Sequence, residues 1–438
     1  MPDAEPPSSD PASPDGASAS APPARAWWRR VLGAQESGLL LVILLMMGAL
    51  TVFGGTKPMR EAVALGQGDS FRATPLDSTD GRERYDVVIT RSDGTEQVRT
   101  STARPREGES GGARVVWITR EVNAFLDLNN LALVAKDASF IAVMAVGMTA
   151  VIILGGIDLS VGSIYAVAAI VGAMLLQSMQ GVEATSGGGD WTGWWANQPA
   201  VIVAPLGLLV CCAVGGLCGL ANGAMIVGLR VHPFVITLGM MAALRGVTIL
   251  IPKETLGEQS VSGFPPSFVG GFFRGEVLGV QPVPIVFMVV VGAIGWFVLS
   301  RTVFGRRTYA IGGNEIAARY AGVPVGTVKV LVYTIMGVLA GLAGAMYIGY
   351  YGAGETSAGN GYELRVIAAT VIGGASLAGG RGTAVGAVLG AILVQLIESG
   401  MIILKIPQDY NQIVMGAAII VAVVVDQAKS GLSRGRKH

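Results

Sequence analysis

The chain has 438 residues, of which 51% are hydrophobic and only 14% charged, with 31 Lys and Arg almost balancing 30 Asp and Glu. Soluble domains carry about a quarter charged residues, so this composition, with a mean hydropathy of +0.57, excludes an ordinary soluble protein. A formal net charge of +1 provides no basic surface for nucleic acid. The three cysteines, Cys211, Cys212 and Cys218, all fall in one apolar stretch, which excludes a disulfide framework and reads as small packing residues.

In chain order, residues 1–37 begin with Pro, Ala, Ser and Asp and few large apolar side chains, and are expected to form a disordered cytoplasmic tail. The apolar segment 38–55 has no small-residue cleavage flank, so it is expected to stay as the first transmembrane helix rather than leave as a signal peptide. A polar insertion at 56–130 follows, with 12 acidic and 11 basic residues. Within it YDVVIT, RSDGTEQVRT and ARVVWIT have strand character, and Asp93-Gly94 has the chemistry of a hairpin turn. A small β-rich extracytoplasmic subdomain is expected, either a contact for a soluble partner or a decoration.

From 131 to 427 the chain supplies nine more apolar stretches, at 131–154, 159–178, 201–229, 233–251, 284–303, 329–350, 364–378, 383–404 and 410–426. A hydrocarbon core about 30 Å thick takes about 20 residues per helix. The expectation is an all-α polytopic membrane protein of about ten transmembrane helices with the β-rich insertion, closed by a basic cytoplasmic tail at 428–438. Orientation follows from Lys and Arg in short flanks. With the N-terminus inside, fourteen of these, Arg230, Arg301, Arg306, Arg307 and Arg319 among them, face the cytoplasm, and only Lys253, Arg274, Arg365 and Lys405 lie in short outside loops. Both termini are therefore expected to be cytoplasmic.

A repeat lies inside the apolar region. GGIDLSVGSIYAVAAIVGAML at 155–175 aligns without gaps on GGASLAGGRGTAVGAVLGAIL at 373–393, with identities that include Gly155/Gly373, Gly156/Gly374, Leu159/Leu377, Gly162/Gly380 and Gly172/Gly390. Glycine-broken hydrophobic segments in corresponding positions of two halves point to a transport pathway at the repeat interface. The expected topology makes the copies parallel, or inverted if 364–378 is re-entrant.

The first break carries Asp158. A carboxylate at membrane depth is costly and is paired, hydrated or lining a cavity, so Asp158 reads either as a helix cap at the cytoplasmic interface or as a contact on the pathway. Ser160 and Ser163 are placed to cap the next helix. Ahead of the second break, Asn360, Tyr362, Glu363 and Arg365 cluster where the chain re-enters the bilayer, with Glu363 and Arg365 either lining a mouth or paired with each other.

The polar stretch 301–330 is assigned to the cytoplasm by its arginines. Asn314–Tyr320 has an Asn cap and helix-forming content, and Gly312, Gly313, Gly322 and Pro324 punctuate it. A short helix on the membrane surface is expected, suited to docking a cytoplasmic partner. Enzyme readings fail on inventory: the only histidines are His232 and His438, and there is no GxxxxGK[ST] phosphate loop. If transport is driven by ATP, another subunit binds it. A gradient-driven carrier would rest on Asp158 and Glu398.

The stretches MAVGMTAVIILGGIDLSVGS (144–163), HPFVITLGMMAALRGVT (232–248), GRRTYAIGGNEIAARYAGVPV (305–325), GNGYELRVIAATVIGGASLAGGRG (359–382) and NQIVMGAAIIVAVVVDQ (411–427) together resemble the permease subunits of bacterial ABC sugar importers of the ribose, xylose and galactoside type. The resemblance covers about 131–427. It implies a ten-helix inner-membrane permease paired with a second copy or close homologue, two cytoplasmic ABC ATPase subunits and a periplasmic sugar-binding protein. Loop 304–328 becomes the coupling element, with Gly312, Gly313, Asn314, Glu315, Ala317, Ala318, Gly322 and Pro324 against the ATPase. No cofactor is implied in this chain; ATP and Mg belong to the ATPase. The substrate pathway is expected to involve Asp158, Ser160, Asn222, Thr237, Asn360 and Glu363. The insertion departs from the family, which has a far shorter link there.

Overall fold

The structure, a computed structural model, describes residues 34–76, 84–110, 113–179, 198–277 and 280–435. The expected N-terminal tail up to residue 33 and the last three residues of the basic tail lie outside the described residues. Where no water can satisfy the backbone, a helix satisfies it internally, and the apolar runs become helices in chain order. These are α1 (Ala34–Phe53), α2 (Leu128–Ile153), α3 (Val161–Met179), α4 (Ala200–Leu229), α5 (Pro233–Leu256) and α6 (Val283–Arg301). Then come α7 (Val303–Gly313), α8 (Glu315–Tyr320), α9 (Val325–Tyr351), α10 (Tyr362–Ile372), α11 (Ala384–Ile403) and α12 (Asn411–Gly435).

Among the described residues, 8 helices rather than ten are long and apolar enough to cross a bilayer: α1 to α6, α9 and α11. The stretch 364–378 gives only α10, whose 11 residues span about 16 Å at 1.5 Å per residue, half the hydrocarbon core. It stops at Gly373, where the second glycine break begins. The segments that lead into the two breaks nevertheless run side by side. The Thr370 hydroxyl reaches Ala145 O at 3.4 Å and Gly380 N–H donates to Ile153 O at 2.9 Å, so the chain advances alongside α2 in the same direction.

Between α1 and α2 the described residues form six strands, β1 (Thr56–Ala64), β2 (Ser70–Leu76), β3 (Arg84–Thr90), β4 (Glu96–Ser101), β5 (Arg106–Ser110) and β6 (Ala113–Asn123), in two antiparallel sheets of order β1-β6-β5 and β2-β3-β4. Val63, Leu65, Val87, Ile89, Val116 and Ile118 make a small core of their own. Asp93 and Gly94 turn the β3–β4 hairpin, with Asp93 Oδ1 accepting from Thr95 N–H at 2.9 Å and Gly94 at φ 83°. Asn123 ties the module to the first helix by donating to Thr51 O at 2.8 Å.

The centre of the helical body is the crossing of α4 and α9. Gly215 and Gly219 of α4 face Gly337 and Gly341 of α9, and a Cβ on any of them would strike the opposing backbone. Small residues four apart let helices approach closely in lipid, where dispersion rather than water drives association. Cys211 is buried in the same helix and packs against Gly172 of α3, while Cys212 and Cys218 are partly buried; all three are free thiols. Replacing Gly337 with Val is expected to force α9 off α4 and destabilise the protein by on the order of 3 kcal/mol, read as a lowered unfolding midpoint in detergent, whereas Gly239→Ala, which meets nothing within 4 Å, leaves it in place.

Candidate functional site

The first break is laid along one face of α5. Thr237, Met241 and Arg245 are four residues apart, so they stack on one side of that helix about 6 Å apart. The Thr237 hydroxyl donates to Ile157 O at 3.2 Å, Ser163 Oγ donates to Met241 O at 2.9 Å, and Arg245 donates to Ala358 O at 2.8 Å. The break, the first turn of α3 and the loop before α10 therefore lie in order along α5. Met241 is two turns from the start of that helix, so α3 begins inside the helical layer rather than at its surface.

The N-terminus of α10 meets that of α3. Gly359 O and the Glu363 carboxylate press on Gly162, where a Cβ would sit 2.7 Å from Glu363 Oε2. The first turns of α3 and α10 thus meet beside one carboxylate, a charge that the positive end of a helix favours. Arg245 lies close enough to interact electrostatically with the same carboxylate. Arg365 does not pair with Glu363; it forms an ion pair with Glu398 at 2.8 Å, and Asn411 also donates to Glu398 at 2.9 Å. Asn360 sits exposed in the turn before α10.

Asp158 is fully buried. Its Oδ1 accepts from Ser160 N–H at 2.9 Å and Ser160 Oγ at 2.6 Å, and Asn222 of α4 donates to Ser160 Oγ at 2.8 Å. The serines are used differently from the expected caps: Ser160 links Asp158 to α4, and Ser163 holds α5. Among the residues expected on the pathway, Asp158, Ser160, Asn222 and Thr237 are brought together at this break, Glu363 stands at the far side of Gly162, and Asn360 faces outward.

A cavity of about 900 Å³ opens beside the break, lined by Gly155, Gly156, Arg230, Glu315, Lys329 and Tyr333 among others. Tyr333 was not singled out by its sequence, since a tyrosine within an apolar run carries no signal. Arg245 did carry one, as a lone cation inside an apolar stretch. Among the described residues no three His, Cys, Asp or Glu side chains converge as a metal site would require. His232 caps α5, its Nδ1 accepting from Phe234 N–H at 3.3 Å.

The short helix α8 stands at the cavity mouth. Asn314 caps it, accepting from Ala317 N–H at 2.9 Å, and Gly322 at φ 78° turns the chain after it. Pro324 starts α9 and Gly313 is open to solvent. Gly312 is packed so tightly on Ile153 O that no side chain fits. Ala318 is buried at 5%, whereas Ile316 is 70% and Tyr320 90% exposed. The outward face of α8 is thus Ile316, Ala317 and Tyr320, two of which the sequence reading passed over. Lys329 of α9 donates to Glu315 Oε2 at 2.8 Å and Arg319 to Oε1 at 3.1 Å, anchoring the helix.

A short helix meeting a glycine-broken segment beside a cavity, among helices of bilayer length, is the architecture of a membrane transport subunit. The chain belongs to the family described as branched-chain amino acid transport system / permease component, which matches residues 130–423. It is 38% identical over 307 residues to the ribose import permease protein RbsC of Escherichia coli (strain K12), covering 70% of this chain and 88% of that one. It is 37% identical over 303 residues to the D-allose transport system permease protein AlsC of the same strain, covering 69% and 85%. It is 32% identical over 308 residues to the galactose/methyl galactoside import permease protein MglC of Haemophilus influenzae, covering 70% and 88%. No solved structure matches.

The hydrogen bond from Lys329, more than any other contact, holds the Glu315 carboxyl below its ordinary range. A carboxylate lowered in the folded state contributes stability at and above its ordinary pKa and loses it as the pH falls through the lowered value. Amide-exchange protection of Glu315–Tyr320 is accordingly expected to fall as the pH drops below about 4, and Glu315→Gln is expected to show the weaker protection at every pH.

Proposed function

We propose that this chain is the membrane-spanning permease of an ATP-binding-cassette importer for a monosaccharide, ribose-like in class, lodged in a bacterial inner membrane with both termini cytoplasmic. A periplasmic sugar-binding protein delivers the solute, a separate ABC ATPase binds ATP and Mg and supplies the energy, and two permease copies act together. What carries the reading is α8, a capped helix with two exposed apolar side chains, fixed by Glu315 and Lys329 to the helix that lines the cavity. The names of the relatives support a sugar as cargo. The family description supports the alternative of a branched-chain amino acid, and a nucleoside or polyol would use the same machinery.

In this reading Ile316 and Tyr320 seat in a cleft of the ATPase, together with Gly313, Asn314, Ala317 and Gly322. Closure of the nucleotide-bound ATPase pair displaces α8, and α9 moves with it. The pathway then alternates between opening toward the cavity and opening toward the binding protein, each state favoured by contacts it alone makes. The insertion at 56–130 faces the binding protein in this reading, where it alters docking or recruits something else.

The double variant Ile316→Ala, Tyr320→Ala is expected to keep the permease folded and inserted while lowering co-purification of the ATPase and sugar uptake by on the order of tenfold or more, as loss of two apolar anchors implies. Uptake equal to wild type would remove α8 from the mechanism. Mass spectrometry of the gently solubilised complex identifies the ATPase and the binding protein, and the binding protein's ligand decides between sugar and amino acid.

A further inference from the structure

Three buried polar atoms at the first break have no hydrogen-bond partner in the protein: Asp158 Oδ2, Asn222 Oδ1 and Tyr333 OH. Asp158 and Asn222 are fully buried and Tyr333 is 1% exposed. They form one cluster. Ser160 Oγ joins the Asp158 and Asn222 side chains at 2.6 and 2.8 Å. The Tyr333 hydroxyl reaches the Gly156 backbone so closely that a Cβ there would sit 2.5 Å from it, and it lies in the electrostatic field of Asp158.

Buried polar groups in folded proteins almost always have partners. Ser160, whose hydroxyl both donates and accepts, shows that this cluster can close its bonds internally. The open ends are one carboxylate oxygen, one amide oxygen and one phenol that can donate or accept. Gly156 and Tyr333 also line the cavity, so the cluster, with Asp158 and Asn222 fully buried, lies directly behind the cavity wall.

That set matches a particular chemistry. Two acceptors side by side take the protons of neighbouring hydroxyls, and the phenol donates to a further hydroxyl or ring oxygen. An anion would meet the amide oxygen of Asn222 and an acidic side chain rather than a set of donors, and an aliphatic side chain would leave all three atoms unsatisfied. Resting on the importer reading, we propose that Asp158, Asn222 and Tyr333 form the polar subsite that holds the hydroxyls of an uncharged polyhydroxylated solute where its path enters the cavity.

The test uses the full complex of permease, ATPase and binding protein in proteoliposomes, with D-ribose, D-allose and D-galactose and their monodeoxy forms as probes. Tyr333→Phe removes only the hydroxyl. It is expected to lower uptake of a parent sugar by on the order of tenfold while taking up the one monodeoxy form that lacks the partner hydroxyl as well as wild type does. Equal loss for the parent and every deoxy form would mark a structural role and overturn the subsite, as would no loss at all.

Where the binding protein rejects an analogue, saturation-transfer NMR of the sugar at millimolar concentration on the solubilised permease–ATPase complex gives the second readout. Contact signals present in wild type and absent in Tyr333→Phe and Asp158→Asn support the subsite; signals unchanged in both overturn it. Wild-type complex that moves none of the three sugars overturns the importer reading for sugars and the subsite with it, whereas wild-type uptake with insensitive variants overturns the subsite alone.

Discussion

Breaking a helix inside a bilayer frees backbone groups that lipid cannot satisfy, and the whole arrangement turns on how this chain pays that cost. The end of α2, the second glycine break and the end of α7 meet at one point. Gly380 N–H donates to Ile153 O at 2.9 Å, and the Tyr309 hydroxyl donates to Gly382 O at 2.6 Å. Gly312 and Gly379 have no room for a Cβ against the neighbouring backbone. Each loose end is thus satisfied by another loose end. Glycine is required because only backbones without side chains between them come within hydrogen-bonding distance.

With that junction fixed, the helices that follow the two breaks are placed. The first break rises from Ile153 along the face of α5 to the start of α3, and the second leads to α11, whose cap Thr383 accepts from Gly386 N–H at 3.0 Å and donates to Glu36 of α1 at 2.8 Å. The chain's first helix is thereby tied to its second repeat. The helices that begin at the breaks present their first turns there, with Glu363 beside Gly162 and Asp158 beside Ser160.

The junction also aligns the parts of the proposed machine. Gly312, in the last turn of α7, packs on Ile153 O at the start of the first break, and two residues later Asn314 caps α8. Glu315 reaches across to Lys329 on α9, and Tyr333 lies one turn further along that helix. In the proposed mechanism, α8 is thus joined through Glu315, Lys329 and α9 to the atoms around Asp158. Rigid elements with packed contacts transmit motions more faithfully than loops.

Much of this was legible in the chain itself. Apolar length marks the spans because a bilayer imposes a fixed thickness; the gapless repeat marks the breaks because glycine is needed wherever backbones touch; Asp158 stands out because charge in lipid is costly; and Asn314 announces the helix it caps. These are local consequences of residue type. The tertiary structure alone decided that the stretch 364–378 is a half-helix, that Arg365 pairs with Glu398 rather than Glu363, that α8 turns Ile316 and Tyr320 outward while burying Ala318, and that Tyr333 joins Asp158. Each of those depends on which separate segments share a face or a depth, and such pairing is set by packing, which no single stretch of sequence contains.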